Sequence, residues 1–229
     1  ELKPDPKNIT ITGTPDPTTL DEVNEFSDGG GANSVDIDAS MLDTATSHIT
    51  LQANNDIDIN ADFTVPGGFN LTMQAGRPIQ FDDAVITMSG GNLTLIANET
   101  TSIAGVQEAN RDIGTAVLDM QGNIARIEAG TGSVLLRMND GAGRVDPNKR
   151  LSGAINVSHI TGGNITIENN GGAITRESGV NAIALTGAGT ITLTAAAIGT
   201  GPLPMILNRN TGQVTPTSTT TGMFLQDST

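Results

Sequence analysis

The sequence predicts an all-β chain folded as a parallel β-helix, a β-solenoid with triangular rungs of about 22 residues. Three observations carry that prediction. Three stretches, His48–Asn54, Asn70–Gly76 and Asn92–Asn98, align without a gap, each position recurring at every twenty-second place in the chain. The same step links Val35, Ile57 and Ile79, then Ile37, Ile59, Phe81 and Ile103, then Met41, Phe63 and Val85. Within each copy apolar and polar residues alternate, as in Ile49-Thr50-Leu51-Gln52-Ala53, which puts the apolar set on one face of a strand. A repeat this short buries no core of its own, so its copies must stack.

Each element follows in chain order. Residues 1–34 read as an N-terminal extension, either a cap or a first rung, with Pro4, Pro6, Pro15 and Pro17 around Asn8-Ile9-Thr10-Ile11 and a short helical turn over Leu20–Phe26. Residues 35–110 are regular rungs. Each has three strand signals, for example Ile49–Leu51, Ile57–Ile59 and Phe63–Val65, separated by corners such as Ala53-Asn54-Asn55 and Pro66-Gly67-Gly68. Stacking would put Thr50, Thr72 and Thr94 in one outward ladder and seat Asn70 on Asn92. Asn54, Gly76 and Asn98 would share a corner that suits a left-handed backbone.

Residues 111–213 read as irregular rungs with corner insertions, the main excursions being Gly105–Ile113 and Gly141–Arg150. Strand signals continue at Val117-Leu118, Ile124–Ile127, Val134–Leu136, Ile155–Val157, Ile165–Ile167, Ile183–Leu185 and Ile191–Leu193. Their spacing varies: Val134 to Ile155 falls just short of the repeat, and Ile165 to Ile191 exceeds it. Residues 214–229 form a Thr-rich C-terminal segment. Roughly ten rungs at about 4.8 Å would make a rod about 50 Å long.

Composition narrows the function classes. The chain has no Cys, which excludes disulfides, thiolate metal sites and Cys nucleophiles. It has no Trp or Tyr and only five Phe, so thin layers of Ile, Leu, Val and Met must fill the interior. Net charge is −14, and the 11 Lys and Arg are scattered along the chain, which argues against a nucleic-acid partner. No apolar run is long enough to span a bilayer. The chain opens on Glu1 rather than Met, which fits a processed product or an excised segment.

The repeat phrases resemble the filamentous haemagglutinin-type exoproteins and adhesins of diderm bacteria. The resemblance rests on Ser47–Ile57, on Asn70–Arg77, on Gly90–Asn98, and on Gly189–Ala195 followed by Ala197–Thr200 and a Pro-Leu-Pro, and it covers about Val35 to Gly201. It implies a right-handed β-helix on the outer cell surface or in the extracellular space. The implied role is adhesion or filament formation, with a host or neighbouring cell surface or a polysaccharide as partner. The family's secretion domain is not recognisable here, and the phrases specify a fold far more than a ligand.

Candidate sites compete with plainer readings. Asp82-Asp83 is the paired acid of a strong repeat, and two carboxylates are what glycoside hydrolysis needs. No Gly-His-Gly turn or Arg-x-Lys strand accompanies it, and Asp82 falls in the column of Asp38 and Asn60, which the repeat alone explains. Asp36 and Asp58 are the candidate metal ligands: on adjacent rungs their carboxylates would suit calcium. Against that, the third member of their column is Gln80, the Gly-Gly-x-Gly-x-Asp repeat is absent (Ser27–Gly31 is a faint echo), and the plainer reading is a solvated acidic stripe. An ice-binding face would need paired Thr columns, but the column beside Thr50/Thr72/Thr94 reads Gln52/Gln74/Ile96. The sequons at Asn8, Asn70, Asn92, Asn98, Asn156 and Asn164 mostly mark strands that begin with Asn, and His48 and His159 read as corner or surface residues.

The expectation is therefore a non-enzymatic, cell-surface or secreted β-solenoid acting as a structural rod or adhesin segment, with no cofactor other than the weak calcium reading. The alternatives are a β-helix polysaccharide-acting enzyme or carbohydrate-binding module, and a self-assembling extracellular fibre subunit that associates end to end.

Overall fold

The computed structural model describes residues 6–15, 20, 33–100, 106, 108–178, 185–209, 212–220 and 222–228. Ile103, most of the Leu20–Phe26 turn, Ser27–Gly31 and Ile183 lie outside them. The chain enters through β1 (Pro6–Thr12), β2 (Asn33–Asp38) and a short helix α1 (Ala39–Asp43). It then winds through repeated rungs, each contributing a strand to three faces in turn. The first is β3 (Ile49–Ala53), β4 (Ile57–Ile59) and β5 (Phe63–Val65), and the second β6 (Leu71–Ala75), β7 (Ile79–Asp82) and β8 (Val85–Met88). The third is β9 (Leu93–Ala97), β10 (Ala116–Gln121) and β11 (Arg126–Glu128), and the fourth β12 (Val134–Met138), β13 (Ser152–Val157) and β14 (His159–Gly162). Two more follow: β15 (Ile165–Asn169), β16 (Ala173–Arg176) and β17 (Leu185–Gly187), then β18 (Ile191–Ala195), β19 (Ala197–Ile198) and β20 (Met205–Arg209). A seventh consists of β21 (Val214–Ser218), a single bridge at Met223 and β22 (Leu225–Asp227). The faces are parallel sheets of seven, eight and seven strands, as a β-solenoid requires.

The predicted stacking holds on the first face: Ile49 pairs with Leu71 and Leu71 with Leu93, Thr50 with Thr72 and Thr72 with Thr94, and Gln52 with Gln74. On the second face one unbroken apolar column runs Val35, Ile9, Ile57, Ile79, Leu118, Ile155, Ile174, Ile198. These side chains form a continuous core in which Phe63 and Phe81 are the buried aromatic rings.

Several expectations need correcting. Val35 and Ile37 do not stack on Ile57 and Ile59, because β1 lies between them: Ile9 pairs with both Val35 and Ile57, and Ile11 with both Ile37 and Ile59. Strand β1 therefore fills a place within the second face, between β2 and β4. Met41 belongs to α1 rather than to a strand column. That helix packs on β5 at the start of the third face, where Asp43 Oδ1 accepts the Thr64 N–H at 2.6 Å and closes an open strand edge. Phe63 stacks on Ile86, not Val85. The slip arises at Asp83, an extra corner residue with φ +53° whose N–H donates to Gln121 O and whose Oδ1 accepts from Ile124 N. The next corner is one residue shorter, so the period recovers at Leu93.

Val134 stacks on Ile165, and Ile155 sits on another face, so the step from Val134 to Ile155 is not a rung. After Leu93 the first face continues through Val134, Ile165, Ile191 and Val214, so the step nearly doubles once and then shortens rung by rung toward the original repeat. Two large corner insertions consume chain without adding height, which leaves seven rungs and a rod of roughly 35 Å.

Backbone geometry at the corners explains the Gly-Asn phrases. Gly91 and Gly132 follow each other at one corner, where a Cβ on Gly132 would lie 2.0 Å from Gly91 O, so the chains approach too closely for any side chain. At the Asn54/Gly76/Asn98 corner only Asn98 is left-handed (φ +56°). Gly76 is required there because a Cβ would lie 2.0 Å from Asn54 O. On the first face the inward-facing residues that open each strand donate their N–H to the following rung, as Ile165 does to Thr190 O and Ile191 to Gln213 O. On β21 the inward-facing residues include Pro216, paired with Leu193, which has no N–H to give.

Candidate functional site

Among the described residues, the prism is broken most strongly at the corner between the first and second faces. There the chain leaves the stack after Ala97 and again after Met138, which are register partners on successive rungs. The described residues of the resulting excursions, 98–115 and 139–151, meet through Glu108, Arg144, Asp146 and Lys149. The sequence places both but draws them shorter.

Leaving a sheet strands backbone carbonyls, which must be paired if buried. Arginine, with five N–H groups in a fixed fork, serves several acceptors at once. Arg111, almost wholly buried, donates from Nε to Gly76 O (2.6 Å), from Nη1 to Asp112 O (2.7 Å) and from Nη2 to Asn98 Oδ1 (3.2 Å). Arg144 Nη2 donates to Glu99 O (2.5 Å) and Gly76 O (3.4 Å), while its Nη1 pairs with Glu108 Oε2 (3.2 Å). Glu108 is also bound by the second excursion through Asp146 N and Lys149 Nζ, so it ties the two insertions together. Arg150 Nε closes the outer loop on Arg144 O at 2.6 Å.

Carboxylates anchor the base of this corner. Arg77 grips Asp56 with Nε (2.8 Å) and Nη2 (2.5 Å), and its Nη1 reaches Ile113 O. Lys7 on β1 pairs with Asp112 at 2.9 Å and holds its carboxyl below the usual range. Asn55 braces the same residue from both sides. Burial pushes Arg111 down to about 10, helped by the neighbouring Arg144 and Arg77 guanidiniums. Arg144 is lowered chiefly by burial and restored in part by Glu108.

This cluster was not visible in the sequence. Lys7, Arg77, Arg111, Arg144, Lys149 and Arg150 are six of the eleven Lys and Arg, and they look scattered along the chain. The usable signal was that both excursions depart from equivalent places in the repeat. Most of their guanidinium donors are taken by backbone carbonyls, so the cluster acts as a frame. Outward it presents aliphatic side chains among charged ones: Val145 is 84% exposed, Ile113 64% and Leu151 50%, beside exposed Asp112, Asp140 and Arg150.

The sites predicted from sequence lie elsewhere. Asp36 and Asp58 are not on adjacent strands; Thr10 stands between them, paired with each. The expected approach of two carboxylates is therefore absent, because β1 occupies the intervening place. Burial raises the Asp58 carboxyl, the nearby Asp56 adds to the rise, and Arg77 opposes it. Among the described residues no group of three or more His, Cys, Asp or Glu could hold a metal ion. Asp82 is exposed at the end of β7, and Asp83 spends its carboxylate on Ile124 N, so the two do not converge on one point.

His48 belongs to a corner ladder. Its Nδ1 accepts Asn70 N at 2.9 Å, Asn70 Oδ1 accepts Asn92 N, Asn92 Oδ1 accepts Ser133 N, and Asn164 Oδ1 accepts Thr190 N. The Asn residues that begin the strands thus carry a hydrogen bond from rung to rung. His159 lies half-buried on β14, paired with Arg126. The outer surface of the first face is lined by Thr50, Thr72, Thr94, Leu135, Thr166, Thr192 and Thr215 in one column. An open trough of about 420 Å³ crosses it beside the Arg137–Glu168 pair (2.7 Å).

Comparison with family models, with curated proteins and with solved structures found no match to this chain. No helix among the described residues is long and apolar enough to cross a membrane.

Proposed function

We propose that this chain is a non-enzymatic rod segment of a secreted or outer-cell-surface adhesin or filament, with its lateral corner as the contact surface. The observation that carries this reading is the contrast between three regular strand faces and one built protrusion. Its described residues are cross-linked by buried arginines and offer aliphatic side chains to solvent. A smooth solenoid spaces things apart, and a rigid projection on it is a means of making contact. The likeness of the repeat phrases to filamentous haemagglutinin-type proteins points the same way.

The test is direct. Purified chain in negative stain should appear as short rods, and beads coated with it should retain bacterial or host cells. Val145→Asp should lower that retention while leaving the rods intact. Release of new reducing ends from a polysaccharide, abolished by Asp82→Asn, would overturn the reading in favour of an enzyme.

A second reading, carbohydrate binding on the first face, is favoured by the trough beside Arg137 and Glu168, whose hydroxyl, amide and charged lining suits sugar hydroxyls. Retardation of the chain in polysaccharide-containing gels, lost on Arg137→Ala, would support it over the corner.

A further inference from the structure

We infer that the protruding corner is a self-association surface on which two copies of this chain pair side by side about a two-fold axis. The pairing rests on the reading of this corner as the contact surface and names what covers it, a second copy of the chain; a chain that stays single while still retaining cells would sink the pairing and leave that reading standing.

Charge distribution selects the partner. The corner, taken as Lys7, Asp56, Arg77 and the described residues of the two excursions, holds six of the eleven basic residues and six of the twenty-five acidic ones, so the entire net charge of −14 lies on the rest of the chain. Two such bodies repel over most of their surface. The corner is the neutral patch where a second copy can approach without that repulsion, and there it finds apolar area to cover. Val145, Ile113 and Leu151, at 84%, 64% and 50% exposure, project from one protrusion whose backbone is cross-linked by Gly114 N to Asn148 O and Ala116 N to Leu151 O. A patch that meets its own copy across a two-fold axis is self-complementary by construction. Axial pairing is less suited to this chain, because Pro216 removes a donor from the outward edge of β21 and Asp227 borders the apolar groove beside it.

The chain contains no cysteine, so a single introduced thiol reports proximity cleanly. Val145→Cys should form disulfide-linked dimers about ten-fold or more faster than Ile124→Cys, which is 53% exposed on a different corner. Sedimentation equilibrium of the unmodified chain should give twice the chain mass at high concentration. Added salt should strengthen the dimer, since it screens repulsion between the bodies and leaves the apolar contact intact. The double variant Val145→Asp/Leu151→Asp should sediment as a monomer with an unchanged circular-dichroism spectrum. Equal cross-linking rates at the two positions, a single-chain mass at every concentration, a dimer weakened by salt, or a dimer that survives the double variant would each overturn the inference.

Discussion

The rungs between Ile49 and Ala97 and the rungs that follow have the same cross-section but are held together differently. In the first region the strands recur at the repeat spacing, and hydrogen bonds pass from one copy to the next through His48, Asn70 and Asn92. In the second, stacked partners such as Leu93 and Val134 lie nearly two repeats apart in the chain, and buried guanidiniums replace the lost corner contacts. The inward columns run through both regions without interruption, from Ile49 to Val214 on the first face. A solenoid thus tolerates large insertions where the strand-to-strand register is set by side chains inside the coil, provided the carbonyls exposed at the exit are given new donors.

If the shared columns carry the stability, equal truncations should cost the same in either region. Leu71→Ala and Leu136→Ala each remove a wholly buried side chain and should each destabilise by about 2–5 kcal/mol. Chemical denaturation of the two variants checks this. A much smaller loss for Leu136→Ala would show that the interrupted region is a loosely attached half.

The arginine frame should behave in the opposite way, locally and not globally. Arg111→Ala takes the side-chain donor from Asp112 O and leaves Gly76 O with only the longer Arg144 contact at 3.4 Å inside a closed corner, a loss of about 1–3 kcal/mol. The expected sign of it is faster cleavage within 98–115 by a protease, with the midpoint of global unfolding little changed. Unfolding of the rod together with the excursion would mean that the insertions are integral to the core.

Much of this was legible in the sequence, for a physical reason. A parallel stack places each residue on its counterpart one repeat later, so spacing in the chain becomes contact in space, and Ile49, Leu71 and Leu93 announce themselves. That translation fails wherever contact partners are not a repeat apart. Ile9 and Ile11 have strand-like neighbours, yet nothing in their spacing to Val35 or Ile57 shows that β1 lies between those rungs. The adjacent Asp36 and Asp58 carboxylates were lost for the same reason. Arg77, Arg111 and Arg144 are far apart in the chain, and only the excursions bring them together. The one-residue slip at Asp83 was hidden because the next corner restores the period.

The corner ladder offers a finer test of the regular region. Asn92→Ala deprives Ser133 N of its acceptor at a partly exposed place and should cost about 0.5–1.5 kcal/mol. His48→Asn should cost almost nothing, since Asn fills the same column at 70, 92 and 164 and its Oδ1 can take the Asn70 N–H. Thermal unfolding of both variants separates the cases. A His48→Asn loss as large as that of Asn92→Ala would assign His48 a role beyond the ladder, such as its edge-on contact with Phe69 at 6.0 Å.

The smallest effect concerns Asp58, at the junction where β1 meets the regular rungs. Burial raises its carboxyl above the ordinary 3.8, with Asp56 adding to the rise and Arg77 opposing it. The folded chain therefore holds this proton more tightly than the unfolded chain does. Stability falls as pH climbs from 3.8 through the raised value, and the full cost of ionisation persists above it. Asp58→Asn removes that cost, so the variant should melt slightly above the parent at neutral pH. The gain should shrink as pH falls and vanish below 3.8, where the parent carboxyl is protonated in both states. A destabilised Asp58→Asn at neutral pH would mean that the ionised carboxylate contributes to holding Arg77 at this corner, and the seam between β1 and the repeats would then depend on charge as well as on the apolar column beneath it.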